Sequence, residues 1–360
     1  MAHQPETSPV GAELPPVDLR SDTVTKPTEA MYARMASAPI GDDGLDGDPT
    51  ARELEQVGAA ALGKEAGLFV PSCTMANLLA TLAQSERSEQ VVLESAAHMY
   101  VSERGAATFT GLFYLAVAGT AGAMDLNVLE DALQGEGLKL RTALVAMETS
   151  HNNASGAVLP LEHMQAVHAM ASSRGVPVHL DGARIFNAAT ALGVAPDQVA
   201  KHCDTVALCL SKGLSAPAGA VLAGPREVID RSRRFRRMLG GSQRQIGVLA
   251  AAGLEAVEVM GKRLAEDHRR ARALSDALNK MHPKLSATIP QTNILQVDVS
   301  RSGRDSAAWS VALETAGVKA RPWGRQRLRC VTHRHIDDAD IERAVMAFRA
   351  VASGLVESIR

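Results

Sequence analysis

Apolar residues recur along this chain with two different periods. In "ARELEQVGAAALGK" (Ala51 to Lys64) they return every three to four positions, the spacing of a helix with one buried face. "AGLFVPS" follows as a short continuous apolar run, and "TMANLLATLAQ" from Thr74 resumes the helical period. Further short runs appear in "QVVLES", "TALVAMETS", "VPVHLDGARIF", "DTVALCLSKG" and "AGAVLAG". Helical stretches such as "LEHMQAVHAMASSRG" (Leu161 to Gly175) separate several of them. A strand that is apolar on both faces must be covered on both faces. Its alternation with amphipathic helices predicts an α/β fold with a mainly parallel sheet between helical layers.

The pattern changes after Gly247. A long helical stretch, "GVLAAAGLEAVEVMGKRLAEDHRRARALSDALNKM", leads into "KLSATIP", "TNILQVDVS", "VKARPW" and "RLRCVTH", and "IERAVMAFRAVASGL" is helical again. This predicts a smaller C-terminal α+β domain joined by a connecting helix. The division is a flexible arm rich in Pro and Glu over 1–17, a large domain over 18–262 and a small domain over 263–360.

Composition narrows the function by exclusion. In 360 residues, 46% are hydrophobic and 22% charged, and the net charge of -2 gives no electrostatic case for nucleic acid or an anionic membrane. No run approaches the ~20 apolar residues of a membrane span, and the N-terminus lacks the apolar core of a signal peptide. A cytoplasmic protein is expected. Cys73, Cys203, Cys209 and Cys330 are scattered without a C-x-x-C pair. Neither a disulfide framework nor a metal site is therefore expected.

No G-x-G-x-x-G follows the first strand and no G-x-x-x-x-G-K-[ST] occurs anywhere, so polar residues at strand ends must serve another ligand. Ligands of open α/β sheets sit beyond the carboxyl ends of strands. At "PSCTMAN" (Pro71 to Asn77) a strand turns into a helix, whose first N–H groups make an anion site beside the Ser72 and Thr74 hydroxyls. Taken alone, it also reads as an ordinary helix cap. Asp181 ends an apolar strand with Arg184 three residues on. It is placed to hold a protonated ring nitrogen, or simply to cap a helix or pair with the arginine. Lys212, in "CLSKGLSAP", stands between two apolar runs at a position where lysine is unusual. Burial lowers a lysine from ~10.4 toward neutrality, and a neutral amine is what Schiff-base chemistry needs. A head that snorkels to solvent is the plainer alternative. In chain order the three supply a phosphate cup, an aspartate for a pyridine nitrogen and a lysine for an aldehyde. One cofactor, pyridoxal 5'-phosphate (PLP), accounts for all of them.

The segments "DLRSDTVTKPT", "GDDGLDGDPT", "FVPSCTMANLLA", "AAHMY", "ETSHN", "VHLDGARIFNA", "CLSKGLSAPAGAVLAG", "RRMLGGSQRQIGVLAAAGL" and "RLRCVTH" carry a resemblance. From Asp18 to near the C-terminus the chain resembles the threonine aldolase family, PLP enzymes of the aspartate-aminotransferase-like fold type I. That resemblance implies Lys212 as the Schiff-base lysine and Asp181 as partner of the pyridine nitrogen. It places Ser72, Cys73 and Thr74 at the phosphate and His98 against the cofactor ring. His151 is implied as a second active-site histidine. Arg184 and Arg329 match arginines that bind the substrate carboxylate, Arg184 also lying at the cofactor, and Ser21 matches a further contact. Arg244 matches an arginine that reaches the phosphate from a neighbouring subunit, within a homotetramer of two dimers with shared sites.

The activity so implied is the reversible retro-aldol cleavage of L-threonine, L-allo-threonine and related β-hydroxy-α-amino acids to glycine and an aldehyde. His98 is the first choice of base, directly or through water, with His151 assisting. β-Elimination or transamination on the same fold, and a binding protein without turnover, are the alternatives. The chain departs from the family at Cys73, where glycine is usual. It also has Gly44, Leu45, Asp46 and Gly47 for Val-Tyr-Gly-Glu, and Ser242 and Gln243 for Gly-Met. These changes bear on the pocket for the β-substituent and hence on substrate range.

Overall fold

The computed structural model describes residues 14–103, 105–134 and 140–354, so most of the expected N-terminal arm (1–13) lies outside the described residues. Seven strands build the main sheet: β1 (Ala66–Val70), β2 (Gln90–Glu94), β3 (Phe113–Val117), β4 (Thr142–Glu148), β5 (Val178–Asp181), β6 (Thr205–Cys209) and β7 (Ala220–Gly224). Their spatial order is β1-β7-β6-β5-β4-β2-β3. β7 is antiparallel to both neighbours and the other pairings are parallel. Six strands therefore point their carboxyl ends at one edge.

The doubly apolar runs have a direct physical reading. Successive side chains of a strand point to opposite faces, and here they enter different cores. Phe69, Val92, Val145, Leu208 and Val221 join the large core on one face. On the other face, Leu68, Val70, Ala207 and Leu222 pack with Leu79 and Ile229, and Val91, Leu93 and Leu144 form a third cluster. The edge strand β3 has no counterpart in the sequence reading. Phe113 and Leu115 are exposed there, which blurs the contrast on which such a reading depends.

The long helical stretch after Gly247 is two helices, Gly247–Glu258 and Leu264–Met281, parted by a 3-10 turn at Met260–Arg263. Gly261 lies against the Phe186 ring, where an added Cβ would come within 2.4 Å of a ring carbon. Beyond the turn a second sheet runs antiparallel throughout: β8 (Ser286–Ala287), β9 (Ile294–Asp298), β10 (Arg321–Pro322) and β11 (Arg327–Val331), in the order β8-β9-β11-β10. Its own core includes Leu274, Leu295, Trp309, Leu328 and Phe348.

"VKARPW" divides between two partners. Arg321–Pro322 pairs with β11, whereas Val318–Lys319 pairs in parallel with Val17–Asp18 at the other end of the chain. Val17 and Leu19 are accordingly buried in the second core. Residues 20–25 cross to the main sheet, where the Thr25 hydroxyl donates to the Lys212 carbonyl at 2.8 Å. Among the described residues, no helix is long and apolar enough to cross a membrane.

Candidate active site

Ser72 caps the helix Cys73–Gln84 at the end of β1. Its hydroxyl oxygen accepts the Met75 N–H and its carbonyl the Ala76 N–H. The Cys73 and Thr74 N–H groups of the first turn have no partner among the described residues, the open arrangement that binds an anion. Cys73 is the first helical residue and is not among the positive-φ positions, so a side chain here causes no backbone strain. The donors survive the departure from glycine.

Asp181 is the last residue of β5 and almost fully buried. One carboxylate oxygen accepts the Ala183 N–H at 3.1 Å and the other the Asn77 amide at 3.1 Å. The Asn77 carbonyl oxygen meets His179 Nε2 at 3.0 Å, and His179 Nδ1 meets the Thr205 hydroxyl at 2.9 Å. Burial brings His179 down to about 4, so it is neutral at pH 7. The chain of contacts holds the Asp181 carboxylate in one orientation.

Lys212 occupies the turn between β6 and β7, half-buried. This turn is closed by Leu210 N–H on the Gly219 carbonyl and Ser215 N–H on the Lys212 carbonyl. Burial alone would make the amine neutral, as expected from the sequence. The structure points the other way: desolvation and the nearby Arg184 pull downward, but the charge at Cys209, helped by Asp181, outweighs them and the ammonium is held above its ordinary value. Cys209 is itself drawn low, first by the hydrogen bond from Cys73 and then, against burial, by Lys212.

His98 begins a short helix after β2, with about a third of its side chain exposed. Its Nδ1 lies 2.9 Å from Glu103 Oε1, and its backbone N–H donates to Glu148 Oε2 at 2.6 Å. Nε2 has no partner among the described residues. His151, after β4, is fully buried. Its Nε2 lies 3.1 Å from Glu94 Oε2 and its Nδ1 accepts the Ala154 N–H at 3.2 Å. With both nitrogens engaged, His151 has no free acceptor for a substrate proton in this state.

The arginines divide by environment. Arg184 makes a bidentate pair with Asp22, Nε to Oδ2 at 2.8 Å and Nη2 to Oδ1 at 2.7 Å. Although desolvation opposes the charge on each partner, the pairing holds Asp22 well below the usual carboxylate range and raises Arg184. Only Nη1 of Arg184 remains for a ligand. Arg329, on β11, is 2% exposed and makes no salt bridge among the described residues. Its Nη2 donates to the Asn152 side chain at 2.9 Å and its Nη1 to the Arg20 carbonyl at 3.4 Å, while Nε is buried without a partner. Burial, reinforced by repulsion from Arg184, lowers it to about 10. A buried guanidinium in this state is complementary to an incoming carboxylate.

Ser21 caps the turn Asp22–Val24, its hydroxyl oxygen accepting the Thr23 N–H at 3.2 Å. Arg244 lies apart, with a largely exposed side chain that reaches Asp42 Oδ2 at 3.4 Å. Among the described residues, no hydrogen bond joins that side chain to the cup. The main sheet and the N-terminal segment thus bring together Ser72, Cys73, Thr74, His98, Asp181, Arg184 and Lys212, with Arg329 added from the second sheet. Sequence reasoning missed Asp22, Asn77, Glu103 and His179. One signal was available: His179 precedes Asp181 by two, on the same strand face.

Six strand ends surrounding an anion cup, a buried aspartate and a lysine define a fold type I PLP site. The fold is shared with the aspartate aminotransferase of Thermus thermophilus, at a TM-score of 0.70 and 18% identity, covering 94% of this chain and 92% of that one. It is shared more closely with the threonine aldolase of Leishmania major, at a TM-score of 0.80 and 16% identity over 94% and 100% of the two chains. The beta-eliminating lyase family profile matches residues 18–302, and the chain belongs to that family, on its threonine aldolase branch. It is 39% identical to a probable low-specificity L-threonine aldolase of Arabidopsis thaliana, over 93% of this chain and 97% of the relative.

Proposed function

We propose that the protein is a PLP-dependent aldolase that reversibly cleaves L-threonine, L-allo-threonine and related β-hydroxy-α-amino acids to glycine and an aldehyde. Family membership supports the reaction class. The observation that carries the substrate class is Arg329, a buried guanidinium with an unpaired Nε and no salt bridge among the described residues. An α-amino acid carboxylate is the anion that suits it, with Nη1 of Arg184 as a second donor.

Lys212 would hold the cofactor through its aldehyde, Asp181 through its ring nitrogen, and the Cys73 and Thr74 N–H groups through its phosphate. Once bound, PLP supplies an electron sink for the charge left at the α-carbon when the bond to the β-carbon breaks. The chain's own work is orientation and proton transfer. Arg329 fixes the carboxylate and thereby the rotation of the substrate about its α-carbon. His98, whose Nε2 is unengaged, takes the β-hydroxyl proton, directly or through water. His151, clamped by Glu94 and Ala154, shapes the wall behind it.

This reading includes a homotetramer of two dimers in which the exposed Arg244 serves a neighbour's phosphate. It also includes a cytoplasmic setting and the division into an arm, a large domain (18–262) and a small domain (263–360), with the expected arm (1–17) shortened because Val17 is paired and buried in the second core.

The test is an absorption spectrum of the protein supplied with PLP, followed as L-threonine, L-allo-threonine and glycine are added, with aldehyde assayed alongside. A band near ~420 nm that shifts with glycine, and aldehyde from either threonine, is expected. Both should vanish in Lys212→Ala. Keto acid in place of aldehyde would move the function to elimination or transamination, and no band in the wild type would sink the cofactor assignment.

A further inference from the structure

Glu103 carries no sequence signal of a role, yet its carboxylate joins three parts of the site. Oε1 lies 2.9 Å from His98 Nδ1 and accepts the Thr74 hydroxyl at 3.1 Å. Both oxygens are 3.4 Å from the Asn77 amide nitrogen, which also donates to Asp181. One atom each from His98, Glu103 and Asp181 lies within 4.8 Å of the other two. The Glu103 side chain is only 7% exposed, so water does not compete strongly for these contacts.

We propose that Glu103 is the positioning residue for His98: its carboxylate holds the proton on Nδ1 and leaves Nε2 as the ring's free acceptor. The assignment rests on the aldolase reading and deepens it. A neutral imidazole has one protonated nitrogen, and which one is decided by the partner of the other. Glu103 cannot donate as a carboxylate, so the Nδ1 proton must point at it. Thr74 and Asn77 hold that carboxylate from the helix that carries the anion cup. The ring facing the cofactor and the cup beneath it are thereby set by one group.

The same contact also sets the basicity of the ring. His98 is raised above its ordinary value, first by the hydrogen bond to Glu103, against desolvation, and then by the charges of Asp181 and Glu148. These come from β5 and β4, so Glu103 is the only one on the loop of His98 itself. Removing its charge leaves the other two in place and makes the shift from Glu103 separable.

Glu103→Gln keeps the shape and removes the charge. In the PLP-loaded enzyme the acid limb of the kcat/KM profile is expected to move down by roughly one pH unit. Turnover should fall roughly tenfold, since a weaker base takes the proton less readily. Glu103→Asp, which keeps the charge, should leave the limb near the wild-type pH. A second readout needs no turnover: proton NMR titration of the cofactor-free protein, with His98 assigned by the loss of its signal in His98→Asn. The His98 midpoint is expected at lower pH in Glu103→Gln than in the wild type. An unmoved limb together with an unmoved midpoint would overturn the proposal. A wild type that titrates as expected but releases no aldehyde would overturn the aldolase reading and leave the pairing standing.

Discussion

Ser215, three residues after Lys212, is held at φ 65° with its hydroxyl buried and without a partner among the described residues. Left-handed backbone costs a non-glycine residue roughly 1–2 kcal/mol, and an unsatisfied buried hydroxyl adds to it. Glycine removes both costs and loses part of the gain to the greater freedom of the unfolded chain. Ser215→Gly should therefore stabilise the protein by about 1 kcal/mol, seen as a higher urea midpoint with the ~420 nm band intact. An unchanged or lower midpoint would mean that the hydroxyl has a partner in solution.

At this scale the site was legible where chemistry and position conflict. A lysine between apolar runs requires a reason, and Lys212 was singled out that way, whereas Arg329 came from the family resemblance. Glu103 and Asn77 sit at ordinary polar positions and conflict with nothing. Their role exists only because the helix after β1 comes to lie beside the loop after β2. The direction of the Lys212 shift was out of reach for the same reason: its burial was inferred from the sequence, but the charge at Cys209 that opposes desolvation was not.

The segment Val17–Thr25 acts as an element although little of it is regular. Val17 and Leu19 are buried in the second core, Asp22 grips Arg184, and Thr25 caps the Lys212 carbonyl. Asp22 also accepts the Asn293 amide at 3.3 Å, so the segment binds both sheets. Asp22→Asn leaves Arg184 a buried charge without its partner, a change that costs roughly 3–5 kcal/mol. Urea unfolding at pH 7 is expected to show that loss, and the KM for threonine should rise as Arg184 moves. The Asp22 carboxyl is held low in the folded state, so its contribution is present at neutral pH and disappears as pH falls below the ordinary carboxylate range. A variant as stable as wild type at pH 7 would show that solvent reaches the pair. Sequence periodicity located most strands, yet it could not assign pairings. It joined the two helices around Gly261 because a close approach to Phe186 is a tertiary fact.

Over the whole molecule, the two-core logic of the main sheet was readable because parallel strands with helices on both faces need apolar residues at every position. The reversed direction of β7 was not, since an antiparallel neighbour leaves the apolar run "AGAVLAG" unchanged, and the edge strand β3 was not, since its exposed positions weaken the contrast. Acid should expose the cost of this burial. His179 and His268 are brought down to about 4 by desolvation. An unfolded histidine takes a proton near ~6.5, so the folded state binds fewer protons in between and loses stability as pH falls through that window. Thermal melts from pH 7 to pH 4.5 should show Tm dropping by several degrees. Glu148 and Asp267, raised by burial, act in the opposite sense. The share of His179 is therefore read as the difference in slope between the wild type and His179→Gln. Parallel slopes would place the acid sensitivity elsewhere.

The parallel pairing of Val17–Asp18 with Val318–Lys319 sets an order on synthesis. It closes a loop of about 300 residues, so the first described strand has no partner until Lys319 has left the ribosome. Until then Val17 and Leu19 lack the core that buries them, and Asp22 waits with them. The strap that carries Asp22 to Arg184 is fastened at its outer end only when Val318–Lys319 is in place. A nascent or truncated chain lacking the second sheet would hold Ser72, Asp181 and Lys212 without Arg329, the residue proposed to take the substrate carboxylate.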